Sequence, residues 1–239
     1  LMAGDLVHQL RQEVAALLGV SPERICLPVS ATFGLNQAIH GVVTSGTHVI
    51  ATAADHNATL RPLHYLQEKG RIQLSVVPCD GRGWVDPDDI VRAWQANTSL
   101  VTLSHASNVT GVTQEVESIV KVAREREALS LLDASQSIGH VAVSQYESIA
   151  DIVVSPGHKW LMGMHGIAVL YARQGIHFDP LIQGGTGSTS ESLEMPVEMQ
   201  DQVEVGTIDF PAAAALLAGC RWLKEERLES VAAACKGYA

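Results

Sequence analysis

The chain has 239 residues, of which 46% are hydrophobic and 18% are charged, and its formal net charge is −10. This composition is typical of a globular protein with a large apolar core and excludes a disordered chain. Nucleic-acid phosphates are bound by clustered Lys and Arg, and the sequence has no basic run, so we expect no nucleic-acid partner. The longest apolar stretch, residues 212–220, is about half as long as a membrane-spanning helix, so we expect no membrane partner.

The cysteines and histidines carry no metal-binding pattern. The four cysteines show neither a CxxC pair nor the spacing of a zinc site. His56, His105, His140 and His158 lack paired ligand spacing. No secretory signal precedes the first predicted helix. We therefore expect a cytoplasmic protein with reduced thiols and no bound metal.

Residues 5–43 are predicted to form two helices around a short strand. Apolar residues recur at helical spacing within 5–18, and Gly19 is the predicted residue after the C-cap. Residues 25–29 form a short apolar run, and residues 33–43 are predicted to be helical. Ser30, Ala31 and Thr32 come just before this second helix, where a hydroxyl and free backbone N–H groups favour an anion such as phosphate. An ordinary N-cap explains the same residues equally well.

Strands and helices then alternate as far as Asp133. This alternation predicts a mostly parallel sheet with helices on both faces, an α/β fold in one domain. In chain order, the predicted strands are 48–52, 72–78, 100–104 and 129–133, and the predicted helices are 58–69, 86–95 and 115–127.

Polar residues cluster where the predicted strands end, at 55–57, 105–108 and 133–136. In folds of this kind, ligands bind beyond the carboxyl ends of the strands. One such cluster alone is more often a solvated loop, but several at successive strand ends favour a common binding site.

Two further apolar runs, residues 152–154 and 167–171, are predicted to be buried strands on either side of a polar loop. Ser155, His158 and Lys159 lie in that loop. A lysine that its surroundings desolvate becomes a nucleophile able to form Schiff bases. An exposed loop lysine is the simpler interpretation of its spacing alone.

Residues 183–196, rich in Gly, Ser and Thr, are either a linker or an anion-binding loop. A helix is predicted from about 212 to 226.

A nucleophilic lysine, a buried carboxylate, an imidazole ring and a phosphate-binding helix terminus together match what pyridoxal 5′-phosphate requires. The sequence also resembles the class V aminotransferase family of fold-type I pyridoxal-phosphate enzymes, and within it the cysteine desulfurase and selenocysteine lyase branch. The DxxQ and GHK elements together are specific to this resemblance. The matching segments are SATFGLNQAI (30–39), DHNATLRPL (55–63), SHASNVTGV (104–112), DASQSIGH (133–140), SPGHKWLMGMHG (155–166), GGTGSTSESLEMP (184–196) and VEVGT (203–207).

The resemblance implies roles around the cofactor ring. Lys159 is the lysine that forms the Schiff base, and Asp133 pairs with the pyridine nitrogen. Gln136 hydrogen-bonds the phenolic oxygen, and His56 stacks on the ring. Asn108 lies near the substrate carboxylate and the ring oxygen. The predicted catalytic residues are Lys159, His56 and Asp133.

The resemblance also implies a phosphate site. Ala31 and Thr32 bind phosphate at the start of the second helix, with His158 beside them. The family usually has a small hydroxyl residue two positions before this histidine. Here Pro156 occupies that position, and Ser155 comes one residue early. Proline supplies neither a hydroxyl nor an N–H, which leaves Ser155 as the candidate for that contact.

Members of the family form homodimers in which the glycine-rich loop reaches the partner subunit's cofactor. Thr186 is therefore a predicted phosphate ligand across the subunit interface. Family members begin before Leu1 and continue past Ala239 into a small C-terminal domain. We therefore expect residues 1–239 to be the cofactor-binding large domain, with a helix from about 212 leading toward the small domain.

In the family, the small domain carries the arginine that clamps the substrate carboxylate and the cysteine that takes the sulfur. Neither residue is assigned in this sequence. Cys220 and Cys235 precede that region and are expected to be buried structural thiols. Phe33 replaces a frequent Glu of the family, which we expect to be a minor change.

The resemblance implies cleavage of the C–S or C–Se bond of cysteine or selenocysteine to leave alanine, with a sulfur-acceptor protein as a possible partner. Two alternatives stay open. The first is an aminotransferase, or another β-elimination or epimerisation activity, because the cofactor machinery is shared. The second is a catalytically inert fragment that binds the cofactor.

Overall fold

A computed structural model describes residues 3–141, 146–188, 191–226, 230–231 and 233–234. The structure is a seven-stranded sheet between two layers of helices. The strands are β1 (Ile25–Cys26), β2 (Thr47–Thr52), β3 (Ile72–Val77), β4 (Thr98–Ser104), β5 (Leu129–Asp133), β6 (Ile152–Pro156) and β7 (Ala168–Ala172). The α-helices are α1 (Ala3–Leu18), α2 (Ala31–Val42), α3 (Asn57–Glu68), α4 (Pro87–Arg92), α5 (Val116–Glu125), α6 (Tyr146–Ile149), α7 (Met199–Val203) and α8 (Phe210–Glu225).

The strand order is β1-β7-β6-β5-β4-β2-β3. The central strands from β3 to β6 run parallel, whereas β7 is antiparallel to both β6 and β1. The prediction of a mostly parallel sheet is therefore confirmed. Because the parallel strands end at one edge, the polar residues that follow them meet there.

Each face of the sheet carries its own apolar core. Helices α2 and α3 cover one face, where Leu35, Ile39 and Leu63 pack with residues of the strands. Helices α1, α5 and α8 contribute to the core on the other face, with Leu10 and Leu216 among its fully buried residues. The prediction of helices on both faces is confirmed as well.

Three predicted boundaries are wrong. Helix α2 begins at Ala31 rather than at Phe33, because Ser30 is its N-cap and accepts the Phe33 N–H at 3.1 Å. Strand β1 stops at Cys26 rather than at residue 29. The next N–H, that of Leu27, donates to Glu204 Oε1 at 2.7 Å instead of to a strand, and the residue after it is a proline without an N–H. Ser155, predicted to lie in a loop, is inside β6.

The other predicted elements differ from the observed ones by a few residues at their ends. Strand β5 has the predicted bounds, and Gly19 follows α1 with the positive φ of 66° that suits a residue after a helix C-cap. No helix within the described ranges is long and apolar enough to span a membrane. The described part of the glycine-rich segment 183–196 contains no helix or strand.

At the edge of the sheet where the parallel strands begin, one buried carboxylate hydrogen-bonds three residues. Asp151, just before β6, is fully buried, and its Oδ1 accepts hydrogen bonds from Arg124 at 3.2 Å and Arg173 at 2.8 Å. Its Oδ2 accepts the N–H and the hydroxyl of Ser130 at 2.9 and 2.7 Å. Burial alone raises the pKa of Asp151, but the Ser130 and Arg173 hydrogen bonds and the charge of Arg124 outweigh it, so the net pKa is lowered.

Candidate active site

A cavity of about 590 Å³ lies beyond the carboxyl ends of the parallel strands. Its wall contains residues from the loops after all five parallel strands and from the start of α2. The structure therefore brings together eight of the ten predicted site residues. These are Ala31, Thr32, His56, Asn108, Asp133, Gln136, His158 and Lys159.

The start of α2 presents unpaired backbone donors to this cavity. Of the first N–H groups of the helix, that of Phe33 donates to Ser30 Oγ and that of Gly34 donates to the Ser30 carbonyl. The N–H groups of Ala31 and Thr32 have no acceptor among the described residues. Because a helix N-terminus also carries a partial positive charge, this corner of the cavity suits an anion.

Asp133 is the last residue of β5 and is only 6% exposed. Its Oδ1 accepts the backbone N–H of Ser135 at 3.0 Å. No described residue donates to Oδ2, and the side chain lines the cavity. A buried carboxylate costs free energy unless both oxygens are hydrogen-bonded, so a ligand that supplies an N–H donor fits this position.

His56 is the N-cap of α3, which fixes its ring at the cavity wall. Its Nδ1 accepts the Ala58 N–H at 3.1 Å, so its proton lies on Nε2. The ring is exposed to the cavity, where a flat ligand can stack on it.

Asp55 also lines the cavity, but both of its carboxylate oxygens accept hydrogen bonds from the protein. Oδ2 accepts from Thr52 N at 3.0 Å and Thr102 Oγ1 at 2.7 Å, and Oδ1 accepts from Ser104 N at 2.6 Å. Burial raises the pKa of Asp55, and these hydrogen bonds only partly offset that effect. Asp55 therefore ties the β2 turn to the end of β4.

Lys159 and His158 follow β6 and are both exposed on the cavity wall. The His158 ring packs against that of His165 with centroids 4.1 Å apart. Burial, together with the charges of His165 and Lys159, lowers the pKa of His158. The imidazole beside the lysine is thus kept neutral more readily than a free histidine.

Asn108 lies on the loop that follows β4. The loop is closed by two backbone hydrogen bonds, from Ser107 N to Val112 O at 2.9 Å and from Gly111 N to Ser107 O at 3.0 Å. Gly111 has a φ of 74°, which a glycine adopts without strain. The turn therefore holds Asn108 at the cavity wall.

Two predicted site residues do not line this cavity. Ser155 is 2% exposed, and along β6 its side chain faces the opposite way from those of its neighbours Val154 and Pro156. Its side chain therefore shares the Val153 face, away from α2, while Pro156 lines the cavity. Thr186 lies in a separate cleft with Arg11, and its hydroxyl hydrogen-bonds that of Ser188 at 2.9 Å.

The predicted structural thiol Cys220 is fully buried in α8, and burial with the Glu13 charge raises its pKa to about 12. Cys235 lies outside the described residues. Within the described ranges, no cluster of three His, Cys, Asp or Glu side chains could hold a metal ion.

Sequence reasoning missed several residues of the wall. Cys79 follows β3 in the same way as the recognised clusters follow their strands, so the strand-end rule could have found it. Trp160, which stands behind the wall, was missed as well, although it is next to Lys159 in the sequence. Its indole Nε1–H donates to Gln136 Oε1 at 3.0 Å. No local sequence pattern predicts this contact.

A sequence profile described as Aminotransferase class-V matches residues 2–237. The chain belongs to this family. It is 33% identical over 184 residues to a cysteine desulfurase of Dictyoglomus turgidum, covering 75% of this chain and 46% of that relative. It is also 30% identical over 241 residues to a probable cysteine desulfurase of Pyrococcus abyssi, covering 96% of this chain and 59% of the relative.

Solved structures show the same fold. A cysteine desulfurase from Thermococcus onnurineus superposes with a TM-score of 0.86 at 30% identity, over 95% of this chain and 58% of that one. A second, from Escherichia coli, has a TM-score of 0.87 at 21% identity, over 95% of this chain and 59% of that one, and shows the fold alone. The predicted fold-type I architecture and family are confirmed. The chain spans about half the length of the curated relatives it matches.

Proposed function

We propose that this protein binds pyridoxal 5′-phosphate in the cavity and cleaves the C–S bond of cysteine, or the C–Se bond of selenocysteine, to leave alanine. The observation that carries the proposal is the meeting of Lys159, Asp133, Gln136 and His56 with the N-terminus of α2 around one cavity. The names of the relatives, cysteine desulfurases at 30–33% identity, support the choice of reaction.

The residues present fit this cofactor. The unpaired N–H groups of Ala31 and Thr32 would bind its phosphate. Oδ2 of Asp133, which no described residue pairs, would accept a hydrogen bond from a protonated pyridine nitrogen. His56 would cover one face of the ring. When bound, the cofactor supplies an electron sink for a carbanion formed on the substrate.

The chain's own residues divide the remaining work. Lys159 would hold the cofactor's aldehyde carbon covalently and move a proton to and from the substrate. His158 would stay largely neutral beside it, because its pKa is lowered. Asn108 would lie near the substrate carboxylate. The sulfur atom leaves to a thiol, so that cysteine and a thiol give alanine and a persulfide.

The phosphate contact that the family takes from a hydroxyl before the histidine is the weakest point of the fit. Pro156 supplies no donor, and the Ser155 side chain faces the other side of the sheet. We therefore propose that the α2 terminus and His158 carry the phosphate within this chain. Thr186 would add a contact from the partner in a homodimer, and a sulfur-acceptor protein would take the persulfide sulfur in the cytoplasm.

The test is a titration of the purified protein with pyridoxal 5′-phosphate. We expect a visible absorbance band from the lysine-bound cofactor, and we expect Lys159→Ala to abolish it. Trp94→Phe, a remote substitution beside α4, is the control. A wild type that stays colourless with added cofactor contradicts the proposal.

Incubation of the loaded protein with cysteine and dithiothreitol then separates the reaction types. A cysteine desulfurase gives equal amounts of alanine and sulfide, because dithiothreitol reduces the persulfide. Transfer of the amino group to an added 2-oxo acid, without sulfide, would identify an aminotransferase. Cofactor binding without turnover of any amino acid would favour a chain that binds the cofactor but does not react.

A further inference from the structure

Gln136 is held by a contact from the neighbouring strand end. It lies in the turn after β5, and its Oε1 accepts the Trp160 indole N–H at 3.0 Å. Trp160 follows Lys159 in the turn after β6, so the bond joins the loops of two adjacent strands. Gln136 lines the cavity, whereas Trp160 stands behind it.

The indole is itself fixed in place by the turn it packs on. Its ring stacks on His140 with centroids 4.3 Å apart and planes inclined by 14°. At Gly139, between the two, a Cβ atom would lie 2.2 Å from the Trp160 carbonyl oxygen, and its φ of 92° disfavours any side chain. Glycine at this position lets the Trp160 backbone approach the turn closely.

The partner determines which end of the Gln136 amide faces the cavity. An indole nitrogen is a donor only, so the atom that it contacts must be the amide oxygen rather than the amide nitrogen. With Oε1 engaged by the indole, the NH2 group is the end left for a ligand. A donor at this point suits an anionic or phenolic oxygen.

We propose that Trp160 is a positioning residue, which holds Gln136 with its amide donors toward the cavity and so makes the site select a ligand with an oxygen acceptor there. The inference rests on the proposed function, since the acceptor would be the phenolic oxygen of pyridoxal phosphate. A packing role alone would instead require only the indole's shape and its stacking on His140.

Two substitutions separate these roles. Trp160→Phe keeps an aromatic ring to stack on His140 but removes the N–H, so the Gln136 amide is free to turn over. Gln136→Glu still accepts the indole N–H with one carboxylate oxygen but offers no donor to the cavity. Trp94→Phe removes an indole elsewhere and is the matched control.

The readout is the dissociation constant of each apoprotein for pyridoxal 5′-phosphate and for its 3-deoxy analogue, which lacks the phenolic oxygen. The ratio of the two constants cancels intrinsic differences between the ligands when variants are compared. Because a hydrogen bond to a charged group changes affinity by about tenfold or more, we expect Gln136→Glu to shift the ratio about tenfold toward the analogue. Trp160→Phe should shift it in the same direction by several-fold, and Trp94→Phe should leave it unchanged.

A second measurement needs no ligand. The indole N–H resonance of Trp160 in the apoprotein should show slow exchange with solvent, and Gln136→Leu should shift that resonance and speed its exchange. The resonance is assigned by its loss in Trp160→Phe.

The inference is overturned if Trp160→Phe keeps the wild-type ratio of the two dissociation constants. A packing role gives this result, because it weakens the binding of both ligands by the same factor. A wild type that binds neither ligand overturns the proposed function and the selection with it. A wild type that binds pyridoxal phosphate, with an unaltered ratio in Trp160→Phe, overturns this inference alone.

Discussion

The two edges of the sheet each carry a buried carboxylate, and the two differ in how completely the protein surrounds them. Asp151, at the edge where β6 begins, accepts four hydrogen bonds from three residues. Asp133, at the edge where β5 ends, accepts one backbone N–H and faces the cavity with its other oxygen. A carboxylate saturated by its own protein stabilises the fold, whereas one left open is available to a ligand.

Asp55 shows that position alone does not make the difference. It lies at the same edge as Asp133 and lines the same cavity, yet three protein donors occupy it. The two carboxylates at this edge therefore divide into one that holds the wall together and one that faces a ligand.

The strongest test exchanges charge for a neutral amide at each edge. We expect Asp151→Asn to lower the free energy of unfolding by about 3 kcal/mol, because an amide keeps only one acceptor oxygen and turns its NH2 group toward groups that donate to Asp151. Asp133→Asn should change it by less than about 1 kcal/mol, since the Ser135 hydrogen bond is kept. Denaturant unfolding of the two apoproteins measures both values.

The same two variants should rank in the opposite order in the assay for sulfide release. Asp133→Asn should slow turnover by about 100-fold, as loss of one electrostatic contact at a reacting centre does. Asp151→Asn should retain near-normal turnover at a temperature where it is folded. Equal destabilisation by the two substitutions would remove the distinction between the edges.

A smaller effect, on the pH dependence of stability, concerns His105, which follows β4. It is buried, and its Nδ1 has no partner among the described residues. Burial, with a contribution from His140, lowers its pKa from 6.5 to about 4. Between these values the unfolded chain binds a proton that the folded protein does not. Stability is therefore full above about pH 6.5 and falls by about 2 kcal/mol between pH 7 and pH 5.

Unfolding curves at a series of pH values test this expectation. His105→Asn should flatten the acid side of the profile whatever its absolute stability, and His64→Gln, at an exposed position of α3, should not. An unchanged slope in His105→Asn would show that other buried histidines dominate. The pKa values of His40, His48, His140 and His158 are also lowered.

The smallest expected effect tests whether the hydrogen bonds to Asp55 stabilise the fold, as those to Asp151 do. Thr102→Val removes the hydroxyl that donates to Asp55 Oδ2 and should cost about 1 kcal/mol of unfolding free energy. Thr113→Val, at an exposed position, is the control and should be near neutral. A neutral Thr102→Val would mean that Asp55 does not depend on its full set of donors.

The sequence by itself determined the order and type of the main elements, because apolar periodicity is a local property. It also determined that Asp133, Gln136, His158 and Lys159 meet, since the residues after parallel strands collect at one edge. The motifs shared with the family added the identity of a ligand that would use them.

Only the tertiary structure decided which polar groups are saturated and which are open. The partners of Asp151 are 21 to 27 residues away in the chain, and those of Asp55 at the end of β4 are 47 and 49 residues away. Likewise, Ser155 faces away from the cavity because of its register in β6, and Trp160 meets Gln136 across two loops. Such pairings depend on strand order and on the pleat of the sheet, which no local pattern contains.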